Sequence, residues 1–172
     1  MSSTRQEKEY RSIIPALYVF IAESEHRLFQ LKVRSDVGGS IEPFILHLLK
    51  GCLVFETLLR QIYSSHSSST GLGNILNDAF VKKDLEYCTS GPDKDLIGFT
   101  GGVRKTLQDI INHILPYLKD KNSVDRFFTI TYALRNVTAH TLSWPDIFSS
   151  QNYEELYKSI VFSIMYLIKK KF

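Results

Sequence analysis

Between residues 41 and 63 apolar side chains return every three or four positions: Phe44, Ile45, Leu48, Leu49, Cys52, Phe55, Leu58, Leu59 and Ile62. Such spacing covers one wide face of an α-helix with its period of 3.6 residues. No stretch of the chain shows the sustained alternation of apolar and polar residues that a half-buried strand requires. A chain patterned in this way has to bury helical faces against one another, and the expected fold is all-α.

The same period recurs on both sides of this segment. A helix is expected over 12–34, with Ser12 as N-cap, Pro15 in the first turn and Leu17, Phe20, Ile21, Leu28 and Leu31 on its inner face. Gly38-Gly39 ends it, and Ser40 caps the helix over 41–63, which has Pro43 in its first turn and should be the central core helix. Ser64 to Gly71 reads as a flexible loop containing a solvated His66. A shorter helix over 72–83 turns Leu72, Ile75, Leu76, Ala79 and Phe80 inward. A long loop fills 84–102, and a helix over 103–119 follows, with Pro116 near its end. The next helix starts after Asn122 or Ser123, buries Phe127, Ile130, Leu134 and Val137, and stops at Ser143-Trp144-Pro145. The last spans 152–170, buries Tyr153, Leu156, Ile160, Ile164, Leu167 and Ile168, and ends in Lys169-Lys170-Lys171, where a helix dipole favours cations. With no internal repeat and no boundary signal, 1–172 reads as one domain, a bundle of five to six helices.

Several function classes fall away. Nothing approaches the run of about 18 apolar residues expected of a membrane span. The polar start, Met1 to Lys8, lacks the apolar core of a signal peptide. Cys52 and Cys88 have neither zinc nor redox spacing, and a cytoplasmic setting fits them best. Asn136-Val137-Thr138 matches a glycosylation sequon, but within a helix of a non-secreted chain it is discounted. Neither a phosphate-loop pattern nor a nucleophile elbow is present. His26, His47 and His113 stand on separate helices without metal-ligand spacing, so no metal and no cofactor is expected. The formal charge of +3 tolerates a polyanion partner without the dense basic stripe of a dedicated DNA-binding module.

What remains is Tyr132-Ala133-Leu134-Arg135-Asn136-Val137-Thr138-Ala139-His140. Residues four apart share a helix face, so Tyr132, Asn136 and His140 line one edge, and Thr131, Arg135 and Thr138 line its neighbour. Arg135 and His140 are about 140° apart around the helix, yet arginine is long and His140 lies where the helix is ending. Both can reach one cleft. Histidine can act as general acid or base near neutral pH. Arginine can fork onto a phosphate and stabilise the extra charge of its transition state. Asparagine can orient either group or the substrate. The set suits metal-independent RNA cleavage through attack of the 2′-hydroxyl on the adjacent phosphate. A second acid would come from a symmetric dimer that doubles Arg135 and His140. Tyr132 and Thr138 are candidate substrate contacts beside them. On the helix over 41–63, Glu56 and Arg60 read as a structural ion pair, with the further option that Glu56 orients a member of the site.

Arg135-Asn136-Val137-Thr138-Ala139-His140 resembles the Arg-polar-x-x-x-His motif of the HEPN superfamily, helical-bundle proteins named for higher eukaryotes and prokaryotes nucleotide-binding. The specific part of the likeness is this six-residue motif, and the helical architecture extends it loosely over the chain. The resemblance implies that Arg135, Asn136 and His140 form the catalytic set of an endoribonuclease. It also implies a homodimer through the helix that carries them, and a role as toxin or antiphage effector with RNA as substrate and an antitoxin or other protein as partner. In members paired with a nucleotidyltransferase antitoxin, a tyrosine follows the histidine by two positions. Leu142 stands there in this chain, so modification at that position is not implied. Other members have lost catalysis, and the alternative expectation is a non-catalytic module that binds protein, RNA or nucleotide.

Overall fold

The structure, a computed structural model, describes residues 3–37, 42–65, 71–87, 123–140 and 150–171. The described residues form six helices and no strand: α1 (Ser3–Val37), α2 (Glu42–Ile62), α3 (Leu72–Asn77), α4 (Ala79–Asp84), α5 (Val124–His140) and α6 (Ser150–Lys171). The all-α bundle expected from the periodicity is what the chain forms. The helix expected over 103–119 lies outside the described residues, as do Gly38 to Ser40, His66, Cys88 and most of the loop over 84–102.

Four long helices make the body. α2 and α6 pack along each other, with α1 against one side of the pair and α5 against the other. α2 is the centre, because it touches α1, α3, α5 and α6. Its predicted face is the one it buries: Phe44, Ile45, Leu48, Cys52, Phe55, Leu58 and Leu59 are all inside. α6 likewise buries Tyr153, Leu156, Ile160, Ile164 and Leu167. Full burial of side chains of this size is worth about 1.5–3 kcal/mol each.

Four expectations are corrected. Ile21, expected on the inner face of α1, is exposed. α1 begins at Ser3, so Ser12 is not its cap and Pro15 lies inside it. The stretch before Pro15 holds the strong helix formers Arg5, Gln6, Glu7, Lys8 and Glu9. Pro15 itself is exposed, so its ring and lost hydrogen bond fall on the solvent side. The single helix over 72–83 is broken at Asp78, whose backbone turns extended and whose Oδ1 accepts from the N–H groups of Phe80 (2.8 Å) and Val81 (3.1 Å). The break resets the helical phase, leaving Ala79 and Phe80 exposed while Val81 and Leu85 are buried. In α5 the buried ring is Phe128, not Phe127, which is half-buried and stacks on the exposed Phe162 at 4.8 Å.

α1, α2 and α6 meet at Gly51. A Cβ there would lie 2.3 Å from the Phe20 ring and 2.8 Å from Ile160. The missing side chain lets α1 and α6 close over α2. Beside it, His47 is buried between Phe20, stacked at 4.7 Å, and Tyr153. Its Nε2 is 2.7 Å from the Phe20 carbonyl, which can only accept, so Nε2 carries the proton. Nδ1 then accepts from the Tyr153 hydroxyl at 2.7 Å. Burial pushes the His47 pKa down, against the opposing effect of the Phe20 carbonyl.

Two outcomes follow from this junction. Gly51→Ala should raise intrinsic helix propensity by about 1 kcal/mol and nevertheless lower net stability by about 1–3 kcal/mol through overpacking, as measured by urea unfolding. His47 holds its proton less readily when folded, so its contribution is complete above about pH 6.5 and is lost as pH falls below that ordinary histidine value. The unfolding midpoint should therefore drop between pH 7 and pH 5.5, with a smaller drop in His47→Gln.

Candidate functional site

α5 starts on Ser123, whose Oγ accepts from the Arg126 N–H at 3.1 Å, and Asp125 complements the dipole of its first turn. The helix is buried on nearly every side, from Arg126 through Leu134 with only Phe127 half-open. Against α6, small polar groups add to the aromatic contacts of Phe127 with Phe162 and Phe128 with Tyr166. Thr131 Oγ1 lies 3.0 Å from Ser163 Oγ and donates to the Ser159 carbonyl at 3.4 Å. Ser163 and Ser159 return their own hydroxyls to carbonyls one turn back in α6, each at 2.9 Å. Arg126, almost wholly inside, forms an ion pair with Glu155. These bonds fix the roll of α5 about its axis, and that roll decides where Arg135 points.

Arg135 points at α2. Its Nε donates to Glu56 Oε2 at 2.7 Å and its Nη2 to Oε1 at 3.4 Å. Arg60 reaches the same carboxylate one turn along, Nε at 3.0 Å and Nη2 at 2.8 Å from Oε1. Glu56 is buried, while the Arg135 and Arg60 side chains keep 27% and 36% of their surface. Burial pushes the Glu56 carboxyl up, and the hydrogen bonds from Arg135 and Arg60 outweigh it, holding the group below the usual carboxylate range. Glu56 is therefore ionised at neutral pH, and the cluster carries one net positive charge. The forked bond uses Nε and Nη2 of Arg135 and leaves Nη1 outside the pair.

Asn136 follows, half-buried. The backbone of His140 ends α5, and its side chain lies outside the described residues. Tyr132 is buried against α3, where a Cβ on Gly73 would fall 2.4 Å from its hydroxyl. Thr138 is buried too, and its hydroxyl donates to the Leu134 carbonyl at 2.7 Å. Within one chain both side chains pack, and neither offers an open face to a ligand. The structure thus gathers Arg135, Glu56 and Arg60 at one point. Sequence spacing identified the Glu56–Arg60 pair. The pair of buried Arg126 with half-buried Glu155 was missed, because partners 29 positions apart leave no local signal.

Other groups are ruled in or out by their surroundings. Burial holds the Cys52 thiol well above its ordinary value, so it stays protonated beside the cluster. Among the described residues no group of His, Cys, Asp and Glu could hold a metal ion. No described helix is long and apolar enough to cross a membrane. An apolar groove of about 450 Å³ lies between α1 and α2, lined by Ile13, Leu46, Leu53 and Val54. Its lining includes neither Arg135 nor Glu56. Of the C-terminal lysines, Lys170 pairs with Glu86, and Lys171 with Asp84.

Comparison with family models, with characterised proteins and with solved structures returns no match.

Glu56→Gln keeps the shape of the side chain and removes the charge that two guanidinium groups share. Urea unfolding should show a loss of about 1–3 kcal/mol, the range for weakening buried hydrogen bonds to charged groups. An unchanged midpoint would mean that Arg135 is not anchored from α2.

Proposed function

We propose that this chain is a metal-independent endoribonuclease of HEPN type. The observation that supports it is the Arg135 guanidinium, held by Glu56 beside the C-terminal half of α5, on the helix that ends at His140. An arginine aimed by a buried carboxylate keeps its charge and loses much of its freedom, which suits it to a phosphate oxygen that gains charge during reaction. In the proposed step the RNA 2′-hydroxyl gives its proton to a His140 imidazole and attacks the adjacent phosphorus. The 5′-oxygen then leaves, taking a proton from the second His140, which starts as the imidazolium, and a 2′,3′-cyclic phosphate remains. Arg135 stabilises the pentacoordinate phosphate between these events. Asn136 orients His140 or the phosphate. A two-fold dimer through α5 supplies the second histidine, so each chain contributes half of a composite site. On this reading the chain works in the cytoplasm as a toxin or antiphage effector, with RNA as substrate and an antitoxin or regulatory protein as partner.

The shared carboxylate favours a second reading as well. Two arginines on one buried glutamate also make a structural clamp, and a non-catalytic helical module for protein or RNA binding would need nothing more. Kinetics separate the two. Arg135→Ala and His140→Ala should each lower RNA cleavage by about 10²–10³-fold, with EDTA present throughout and the helical circular-dichroism signal retained. Cleavage that persists in both variants, or that requires an added divalent ion, would overturn the mechanism. Absence of any cleavage by the unaltered protein would favour the binding module.

A further inference from the structure

Lysines from two helices meet at one end of the bundle. Lys82 and Lys83 stand in the last turn of α4, and Lys169, Lys170 and Lys171 in the last turn of α6. The pairs of Lys170 with Glu86, at 2.8 Å, and of Lys171 with Asp84 tie the two turns together. The ammonium groups of Lys82, Lys83 and Lys169 make no ion pair or hydrogen bond with a described residue. Favourable contact with a helix dipole accounts for lysine in one last turn. Two such turns side by side gather more positive charge than either helix needs.

These lysines, set against Asp84 and Glu86, amount to the whole formal charge of +3, because the other Lys and Arg residues are matched in number by the other Asp and Glu residues. Asp125, which acts on Tyr166 from α5, lessens the local excess without cancelling it. Residues 88–122, which join α4 to α5 in the chain, hold five Lys and Arg against four Asp and Glu, so on balance they supply no negative charge to offset the lysines. The patch also has a fixed relation to Arg135. The Tyr63 hydroxyl donates to Asp84 at 2.6 Å, and the Tyr63 N–H extends α2 by donating to the Leu59 carbonyl at 3.0 Å. Glu56, which holds Arg135, stands seven residues earlier. It therefore lies on the same face of α2, about 10 Å away along the axis.

We propose that this end of the bundle binds the backbone of single-stranded RNA and guides the strand to Arg135. Lys82, Lys83 and Lys169 take phosphates of the strand, while Lys170 and Lys171 hold α4 against α6. A strand with one phosphate on Arg135 reaches the lysines by continuing along α2 past Tyr63. Lysine suits the task, because a point charge on a flexible stem follows a backbone without reading bases. An anionic lipid surface would need no alignment with Arg135. The inference deepens the ribonuclease reading and rests on it for the choice of RNA.

Binding of a single-stranded 2′-O-methyl RNA to the full chain tests the proposal, since that probe has no free 2′-hydroxyl to attack the phosphate. The triple variant Lys82→Gln/Lys83→Gln/Lys169→Gln leaves both α4–α6 ion pairs in place. Loss of its phosphate contacts should flatten the slope of log Kd against log salt by about 2 and weaken binding up to about 100-fold at about 0.1 M salt. With cleavable RNA the same variant should raise KM and keep kcat. Arg11→Gln/Lys32→Gln/Lys158→Gln removes the same charge elsewhere and should bind nearly as the unaltered protein does. Retained helical signal and thermal midpoint in the first variant exclude unfolding as the cause. Equal losses in the two variants would overturn the proposal, as would an unchanged slope in the first or no binding by the unaltered protein. Unchanged RNA binding in the first variant, together with lost binding to phosphatidylserine vesicles, would also overturn it and assign the lysines to a lipid surface. RNA that binds through these lysines and is not cleaved by the unaltered protein would keep the patch and refute the ribonuclease reading. Cleavage with an unchanged KM in the first variant would do the reverse.

Discussion

The approach of α1 and α6 over Gly51 is the constraint on which the bundle depends. The Phe20 ring and Ile160 occupy the volume where any larger residue would put its Cβ. This seat draws three helices close enough for His47 to bridge the α1 backbone and Tyr153. Apolar burial supplies most of the stabilisation, but it is non-directional. The His47 bridge, whose donor and acceptor are both satisfied, fixes the register of these helices in a way that burial alone does not.

A different kind of contact sets α5. It is wrapped by the protein and meets α6 through Thr131, Ser159 and Ser163, side chains short enough for close approach and polar enough to fix position. The Arg126–Glu155 pair adds an anchor near the start of the helix. From that fixed helix Arg135 crosses to Glu56 on α2. The candidate site is therefore built at a helix–helix seam, where small changes in packing would move the guanidinium. The arginine proposed for chemistry and the packing of α2 against α5 share the same carboxylate.

The C-terminal end of α6 shows how a surface charge run gains partners through topology. Lys170 and Lys171 pair with Glu86 and Asp84, and the Tyr63 hydroxyl donates to the same Asp84 at 2.6 Å. The Lys171 bond, followed by that of Tyr63, holds the Asp84 carboxyl below its usual range. The Tyr166 hydroxyl donates to the Leu85 carbonyl at 2.8 Å. The short α4 segment is thereby tied to the last turns of the chain.

The sequence determined the class of fold and the faces of α2 and α6, because a helix with one buried side must repeat its apolar residues at 3.6. It also singled out Arg135, Asn136 and His140 as candidate site residues within one helix. Periodicity fails at α5, where burial on nearly all sides removes the polar face it reads, and Phe128 in place of Phe127 is the buried ring. It misjudged the segment over 72–83, where one Asp78 side chain outcompetes the backbone for two N–H groups and shifts the phase. Only the tertiary structure decided that Glu56 serves Arg135 as well as Arg60. Pairing across 79 positions follows from how α2 and α5 pack and leaves no periodic trace in the chain.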